Sequence, residues 1–525
     1  MWPEELIAVA AGICLHIGYF HRGEHHMYGG KYLQACVFLF CAANLALNSF
    51  CQLPLTSALA LTTKVSSCVS LGIYGSLLCY RLLWHPLNRF PGPFAARISS
   101  VWYSTQVAKR FDSHRVALNL FKQYGPFVRV GSSDLMIAHP LGVPALHSAQ
   151  SKCRKASWYD EDWPRLSLHT LRDHKFHHER RRVWSQVFSE KAIRSFESRI
   201  VVYNEALMNR LSESAGQPIN ASKWANYYSY DVMGELAFGK DFGMLKSGEE
   251  RFAVSLLDEA MDIHGFKFPT WLFRMLIFTP GLMGVYWKFI KYCDEQLATK
   301  MEEELMGRKN DKLNLVQALL AQAGLRPSPA ELTLLRSDTK LTIVAGSDTG
   351  AATLSHIFYE LARHPEHVIK LRDELLPLIN PDGSFSHKAV SEATHLNATI
   401  TETLRLYPVP PTAIVRKTPP EGIMIDGTFI PGEMNVWTPQ YVIGRSEQAY
   451  ERPEEFLPER WYEKREEQMV KEKVALVVAD VVSRFDIEFP AGEDGSKFID
   501  NVKDHFTWGL ADLMLCFKPR EQSTA

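Results

Sequence analysis

The stretch that decides the fold begins at Ser328-Pro329-Ala330-Glu331, passes through Ala345-Gly346-Ser347-Asp348-Thr349 and ends at His364-Pro365. A serine followed three residues later by a glutamate forms a capping box, and proline is accepted at the first helical position. Apolar residues recur at helical spacing between these ends. The sequence therefore predicts one helix of about 35 residues, roughly 50 Å long, which is enough to cross a whole domain.

The centre of this helix, residues 345–349, is unusually polar for a buried position. Glycine costs about 1 kcal/mol relative to alanine in a helix interior, and an unpaired buried aspartate costs more. Local disruption of this kind indicates a functional site. A polar patch on the protein surface is the alternative interpretation of this segment alone.

A second charged pattern stands near the end of a helix that stops before Pro408. Glu402 and Arg405 are three residues apart and share one helix face. The later segment Pro458-Glu459-Arg460-Trp461 offers Arg460 as a third charged residue that could bridge the pair. Because such pairs are usually solvated and contribute little, spacing alone does not distinguish a surface pair from a buried network.

Helical periods dominate the chain from residue 99 onward, without an internal repeat or a break in composition. The sequence predicts one large, mainly α domain with small β-sheets over residues 99–525. Five short runs are typical of strands: Phe127–Val130, Leu135–Ala138, Ile423–Ile425, Phe485–Phe489 and Leu513–Phe517.

Residues 1–84 form a separate apolar module, with only seven of the chain's 117 charged side chains. Three apolar stretches, Leu6–Phe20, Tyr32–Cys51 (which could run on towards Leu61) and Val65–Leu83, predict up to three transmembrane helices. A signal peptide is the rival for the first stretch, but it begins with acidic residues where a basic start is expected. Buried helices of a soluble protein are the other alternative.

Charge bias supports three spans, with the long polar remainder of the chain in the cytosol. Basic residues lie between the first two stretches and after the third, and the positive-inside rule places both groups in the cytosol. The Pro-rich segment 85–98 follows the last span. Because proline fixes φ and lacks an N–H group, we expect a stiff hinge that cannot join a helix.

Composition excludes several other classes. The net charge of −1 gives no overall electrostatic footprint for nucleic acid. Nine cysteines in 525 residues are too few for a disulfide scaffold. No metal-binding box, nucleotide loop or hydrolytic triad appears in the sequence.

Taken in order, these motifs resemble the cytochrome P450 superfamily of haem-thiolate monooxygenases, and especially its fungal, membrane-bound secondary-metabolite members. Residues 345–349 resemble the oxygen-activation motif, Glu402 with Arg405 the ExxR pair, and residues 458–461 the PERF-type motif. His177-x-x-x-Arg181 resembles the helix that contacts the haem propionates. Arg416 stands where these enzymes often place another propionate partner.

The resemblance implies a role for each matching residue. Gly346 would let the helix distort over the haem, Asp348 would relay protons, and Thr349 would hold a water beside bound dioxygen. Two cofactor-binding groups are implied: a buried proximal ion network of Glu402, Arg405 and Arg460, and a propionate site of His177, Arg181 and Arg416. Candidate substrate-pocket residues, for which ordinary core packing is the alternative, are Thr342, Val409, Pro411, Ile414 and Trp508.

The resemblance also implies cofactors and partners. We expect haem b, electrons from NADPH through a membrane-bound NADPH–cytochrome reductase, and a lipophilic small molecule as substrate. We expect a multi-pass monomer in the endoplasmic reticulum membrane.

The sequence departs from the family at its defining element. The Phe-x-x-Gly-x-x-x-Cys-x-Gly loop that carries the haem ligand is expected between Trp461 and Phe485, but no cysteine occurs between Cys293 and Cys516. Cys516 itself is typical of a core strand. A histidine ligand such as His505 would not reproduce thiolate chemistry, because imidazole pushes less electron density onto the iron. No axial metal ligand is therefore predicted.

Two hypotheses follow from this gap. In the first, the locus encodes a working monooxygenase that hydroxylates or epoxidises its substrate, and this chain misses a segment. In the second, the chain is a haem-deficient relative or truncated product that acts at most as a membrane-bound binding or scaffold protein.

Overall fold

The computed structural model describes residues 3–188, 190–249, 252–307, 314–324, 326–412, 414–463 and 472–520. The chain begins with three apolar helices. They are α1 (Pro3–Leu15), α2 (Gly29–Ser49) and α3 (Leu55–Cys79). With the helical turns that extend α1 and α3, each is long and apolar enough to cross a membrane. The second stretch does not run on towards Leu61, because Pro54 stands at the N-cap of α3 and separates the two helices.

The hinge is docked onto the helical domain of residues 99–525, called the catalytic domain below. Pro86–Arg89 forms a 3₁₀ turn and Phe94–Ile98 forms α4. The expectation that this segment excludes helix was wrong, because proline is tolerated in the first turn, where its missing N–H is not needed. Leu87 and Phe90 are buried in a small apolar cluster with strand residues.

A polar contact joins the apolar module of residues 1–84, called the membrane module below, to the catalytic domain. The loop between α1 and α2 carries Glu24, whose carboxylate accepts hydrogen bonds from Arg172 (3.0 Å) and from the Lys417 ammonium (2.8 Å). His26 Nε2 lies 2.9 Å from Asp160 Oδ2. The first loop of the membrane module is thereby fixed to two segments of the catalytic domain.

The catalytic domain is mainly helical, as the sequence predicts. Before the central helix come α5 (Val101–Val107), α6 (Ser113–Tyr124), α7 (Gly142–His147), α8 (His174–Val187), α9 (Glu190–Glu213), α10 (Ala221–Phe238), α11 (Met244–Ser247), α12 (Phe252–Gly265), α13 (Thr270–Phe278), α14 (Gly284–Leu305) and α15 (Leu315–Ala323).

The central helix α16 spans Pro329–Arg363 without interruption. The Ser328 hydroxyl accepts from the Glu331 N–H, and the Glu331 carboxylate accepts from the Ser328 N–H, which confirms the predicted capping box. After it come α17 (Pro365–Leu375), α18 (His387–Glu392), α19 (Thr394–Leu406), α20 (Gln440–Ile443), α21 (Arg460–Glu463), α22 (Glu472–Arg484) and α23 (Ser496–Asn501).

Short strands form small sheets at the periphery of the helices. Two sheets have the strand orders β1-β2-β8-β5-β3 and β4-β12-β9, and β6-β7 and β10-β11 are hairpins. The five predicted strands are confirmed with small shifts at their ends. The strands are β1 (Phe127–Arg129), β2 (Asp134–Ile137), β3 (Arg154–Lys155), β4 (Pro218–Asn220), β5 (Arg416–Lys417), β6 (Ile423–Ile425), β7 (Thr428–Ile430), β8 (Asn435–Trp437), β9 (Phe485–Glu488), β10 (Lys503–His505), β11 (Thr507–Gly509) and β12 (Met514–Pro519).

Candidate active site

The polar centre of α16 has two faces with different surroundings. Ser347 and Asp348 are buried, whereas Gly346 and Thr349 line a cavity. A Cβ atom on Gly346 would lie only 2.7 Å from Cγ of Met233 in α10, so this glycine allows the two helices to pack closely. The Thr349 hydroxyl donates to the carbonyl of Ala345 one turn earlier, at 2.9 Å.

Asp348 points away from the cavity, towards the β10-β11 hairpin. The Thr507 hydroxyl donates to its Oδ2 at 3.0 Å. Burial, aided by the charge of Asp258, raises the pKa of Asp348 to about 8. This carboxyl group is therefore mostly protonated at neutral pH.

A cavity of about 450 Å³ lies between α8, α9, α10, α16 and α22. Thr342, Gly346 and Thr349 contribute to its α16 wall, and Val474 and Leu476 of α22 form part of another wall. Most of its other lining side chains are apolar, and the volume falls in the range typical of small-molecule and cofactor sites. Sequence reasoning missed the contribution of α10, whose apolar residues carry no chemical signature.

Glu402, Arg405 and Arg460 meet in a buried network. Arg405 donates to both oxygens of the Glu402 carboxylate, Nε to Oε2 and a terminal nitrogen to Oε1, each at 2.8 Å. Arg460 Nε donates to Oε1 at 3.0 Å, and the Trp461 indole N–H donates to Oε2 at 2.9 Å. The Leu457 N–H also donates to Oε1, at 2.9 Å. A buried carboxylate is tolerable here because each oxygen is paired.

His177, Arg181 and Arg416 belong to a cluster of basic side chains that also contains Lys155. Burial lowers the pKa of His177 to about 4, helped by the positive charges of Lys155 and Arg181. Burial and Arg416 together lower the pKa of Lys155 to about 8.

Two of these side chains are hydrogen-bonded within the protein. Lys155 donates to the carbonyls of Leu168 and His169, and Arg416 donates to the Tyr159 hydroxyl. Among the described residues, no carboxylate forms an ion pair with any of the four basic side chains.

The strand register explains why two positively charged side chains of this cluster face each other. β3 pairs with β5 so that Lys155 lies directly opposite Arg416, and Arg154 opposite Lys417. Like charges facing each other across strands are destabilising. Glu433 forms ion pairs with both Arg154 and Lys417, and Glu24 forms a further ion pair with Lys417. The first pair has no such partner in the described part of the chain, which favours an anionic ligand there. Sequence reasoning missed Lys155, because only the pairing of the two strands brings it to Arg416.

The remaining substrate-pocket candidates lie elsewhere. The Trp508 indole N–H donates to the Pro408 carbonyl at 2.9 Å in a buried aromatic cluster. Val409 packs against the main core, and the Pro411 carbonyl accepts from the Tyr441 N–H. Ile414 is half-buried. None of the four lines the 450 Å³ cavity.

A second cavity of about 680 Å³ lies on the side of the domain that faces the membrane module. It reaches residues within two positions of these candidates, Thr412, Val415 and Phe506, and its far wall includes Tyr74 and Leu77 of α3. This cavity therefore adjoins both the candidate segments and the last apolar helix.

The residues present fit one part of the implied haem and not another. The apolar 450 Å³ cavity suits a porphyrin ring, and the basic side chains at Lys155 and Arg416 suit its carboxylates, although neither of these two residues lines the cavity. Its described lining contains no cysteine. Cys293 lies buried in α14, where burial raises the pKa of its thiol to about 12, and Cys516 lies in β12. The described residues therefore do not fit a thiolate-ligated iron. His387, at the start of α18, is a nitrogen donor in the lining that the sequence did not suggest.

The segment expected to carry the ligand loop, between Trp461 and Phe485, is described only in part. Residues 464–471 lie outside the described residues. His505, the imidazole considered as a substitute ligand, lies with Nδ1 3.4 Å from Asp262 Oδ1 and does not line the cavity.

Comparison with known proteins places the chain among fungal oxygenases. The cytochrome P450 monooxygenase notG' of Aspergillus versicolor is 40% identical, with 96% of each chain covered. The tryprostatin B 6-hydroxylase of Aspergillus fumigatus is 40% identical, with 96% of this chain and 94% of the relative covered. The cytochrome P450 monooxygenase sthD of Phaeosphaeria nodorum is 41% identical over 85% of this chain and 98% of the relative.

The alignment to notG' is longer than the part of this chain that it covers. It extends over 532 positions, yet 96% of the 525 residues is about 504, so roughly 28 positions have no counterpart in this chain.

The sequence model of the family "Cytochrome P450" matches residues 91–477. The chain therefore belongs to the cytochrome P450 family.

Proposed function

We propose that this chain represents a monooxygenase that inserts one oxygen atom into a lipophilic intermediate of fungal secondary metabolism. The observation that carries the proposal is the apolar cavity beside the polar centre of α16, in a chain about 40% identical to fungal P450 monooxygenases. One of these relatives is named for 6-hydroxylation of tryprostatin B. The second cavity, whose wall includes Tyr74 and Leu77 of α3, would admit a substrate that arrives from the membrane.

Haem b is the proposed cofactor, and when bound it supplies the oxygen-activating chemistry. Its carboxylates would contact His177, Arg181, Arg416 and Lys155. The proximal network of Glu402, Arg405 and Arg460 would hold the adjoining segment in place, since five donors converge on one buried carboxylate.

Protons are the part of the reaction that this chain's own residues would control. Thr349 lines the cavity, and its hydroxyl, which donates to the Ala345 carbonyl, would accept a hydrogen bond from a water held there. Asp348 accepts from Thr507 at Oδ2, and its raised pKa keeps a proton on this buried carboxyl group at neutral pH. This carboxyl group would store a proton near the reaction centre and release it through a rearrangement of the Thr507 hydrogen bond.

The membrane module would anchor the enzyme as a multi-pass monomer in the endoplasmic reticulum membrane, with its catalytic domain in the cytosol. Electrons would come from NADPH through a membrane-bound reductase. The three apolar helices and the docked hinge support a fixed orientation of the domain against the membrane.

A second candidate function is favoured by one specific observation. The chain has no cysteine between Cys293 and Cys516, so this polypeptide lacks the family's axial ligand. In that case it would be a haem-deficient, membrane-bound binding protein that keeps the apolar 450 Å³ cavity. A missing segment would leave alignment positions unmatched under both candidates, so the transcript is the observation that decides between them.

Two measurements distinguish these candidates. Sequencing the transcript between the codons for Trp461 and Phe485 is expected to reveal a segment that contains the cysteine loop. The protein expressed from that transcript is expected to give a thiolate-type Soret shift with reduced iron and carbon monoxide, and the present chain, expressed in parallel, is not. Transcripts that uniformly lack the loop would establish the second candidate.

A further inference from the structure

A cluster of metal-ligating side chains lies apart from both cavities described above. His367 stands in the first turn of α17, His395 in the first turn of α19, and Glu459 immediately before α21. Each offers one ligand atom, and the three atoms lie within 4.8 Å of one another. Both histidines are buried and the glutamate is half-buried.

The distances within this cluster match those of a tetrahedral metal site. His367 Nδ1 lies 3.3 Å from His395 Nε2 and 3.6 Å from Glu459 Oε1. Zinc binds nitrogen and carboxylate oxygen at about 2.0–2.2 Å, so two ligand atoms of a tetrahedral site are separated by roughly 3.3–3.6 Å. The cluster therefore needs little rearrangement to close around an ion.

The protonation of the two imidazoles favours binding at neutral pH. Burial lowers the pKa of His395 to about 4, with a contribution from His367. Burial also lowers the pKa of His367. A metal ion binds the neutral ring, so neither histidine must lose a proton first.

The surroundings of the cluster resemble those that support known metal ligands. His395 Nδ1 lies 3.2 Å from the Tyr462 hydroxyl, which orients the ring so that Nε2 faces the other two ligands. The Phe456 ring packs edge to face against His367 at 5.5 Å and forms an apolar wall. Partners of this kind set the orientation and affinity of metal ligands.

One cation already competes for the glutamate. Lys370 forms an ion pair with Glu459, but its side chain is about half exposed (51%) and can turn to solvent. The other three-ligand cluster of the described chain, Glu24 with His26 and Asp160, differs here because Arg172 and Lys417 hold its carboxylates from less exposed positions.

We propose that His367, His395 and Glu459 bind one zinc ion, with water in the fourth position. Two nitrogens and one carboxylate oxygen form a donor set that zinc accepts in tetrahedral geometry. The ion would tie α17, α19 and α21 together. It would hold the chain at Tyr462, immediately before the segment in which the ligand loop is expected. This role does not depend on the proposed oxygenase activity.

The test uses the full-length protein in detergent, stripped with chelator and alkylated with N-ethylmaleimide so that its free cysteines do not bind metal. Equilibrium dialysis against zinc chloride is expected to show one tightly bound ion per chain, and magnesium chloride none. Zinc is expected to raise the thermal unfolding midpoint, because an ion that binds the folded state stabilises it.

Substitutions locate the ion. His367→Asn and His395→Gln are each expected to abolish tight binding, and Tyr462→Phe to weaken it about tenfold. Lys370→Met is expected to strengthen binding, because it removes the competing ammonium group. The control is His139→Gln, which removes a histidine paired with Asp426 at 3.3 Å outside the cluster.

Any of three results overturns the proposal. The first is an unaltered protein that binds no zinc, and the second is a bound ion that the two histidine substitutions leave in place. The third is a Lys370→Met variant that binds zinc no more tightly than the unaltered protein, which applies even if the histidine variants fail to fold.

Discussion

The Thr507 hydroxyl donates a hydrogen bond to Oδ2 of Asp348 across 3.0 Å and joins the central helix α16 to the β10-β11 hairpin. Thr349, the next residue on the helix, faces the 450 Å³ cavity instead. Neighbouring residues of one motif thus have different surroundings: one is held in a buried hydrogen bond and the other is available to a bound molecule.

Asp348 gives a pH-dependent contribution to stability. Its pKa is raised from 3.8 to about 8, so folding favours the protonated form. Its contribution is fully present below the unfolded pKa and is lost as pH rises from about 4 through about 8, by several kcal/mol. The difference in unfolding free energy between the unaltered protein and Asp348→Asn should fall over this window in thermal melts.

Asp480 provides a control for that window. Its pKa is raised only to about 6, by burial. The corresponding difference for Asp480→Asn should therefore level off near pH 6. If the Asp348→Asn difference does not change between pH 4 and 8, the raised pKa of Asp348 is wrong.

The buried network around Glu402 predicts a large loss on charge removal. Glu402→Gln leaves Arg405 and Arg460 without their shared carboxylate, and breaking a buried ion pair costs about 3–5 kcal/mol. Chemical denaturation in detergent measures the loss. The control is Glu455→Gln, which removes an exposed pair with Arg452 (3.2 Å) and should cost about 0–1 kcal/mol. Equal losses in the two variants would contradict a buried role for Glu402.

Close packing between α10 and α16 predicts coupling between Gly346 and Met233. In Gly346→Ala the new methyl group meets Cγ of Met233 at 2.7 Å, an overpacking that costs about 1–3 kcal/mol. Up to about 1 kcal/mol is regained from helix propensity. In a Met233→Ala background the same substitution should become neutral or stabilising. A double-mutant cycle with no coupling energy would exclude the contact.

Thr349 predicts a functional effect in a protein whose cysteine loop has been restored. Thr349→Ala removes the hydroxyl that faces the cavity, so electron consumption should exceed product formation. The ratio of product to NADPH oxidised measures this coupling. The control is Ser355→Ala on the same helix, because the Ser355 hydroxyl is buried and donates to the Ala351 carbonyl at 2.8 Å. Unchanged coupling in Thr349→Ala would refute the role.

The contact of Glu24 with Arg172 and Lys417 predicts that the first membrane loop stabilises the segment of residues 156–172. Glu24→Gln should lower the opening free energy there by about 1 kcal/mol, so hydrogen exchange becomes about fivefold faster. Exchange mass spectrometry on the detergent-solubilised chain tests this. Glu421→Gln, which removes an exposed pair with Lys152, is expected to leave exchange unchanged.

The sequence by itself determined the elements whose signals are local. The capping box of α16 needs only Ser328 and Glu331, since both hydrogen bonds close within one turn. Apolar length was enough for the three N-terminal helices, and the absence of a cysteine between Cys293 and Cys516 can be read from the chain alone. The order of short motifs was enough for the family.

Only the tertiary structure decided which distant residues meet. Lys155 lies opposite Arg416 because β3 pairs with β5, and no local pattern specifies that register. His367, His395 and Glu459 come together only where α17, α19 and α21 converge. The burial of Asp348 against Thr507, 159 residues away, raises its pKa by removing water from the carboxylate. Each of these properties depends on desolvation or on contact between segments far apart in sequence, which local spacing cannot encode.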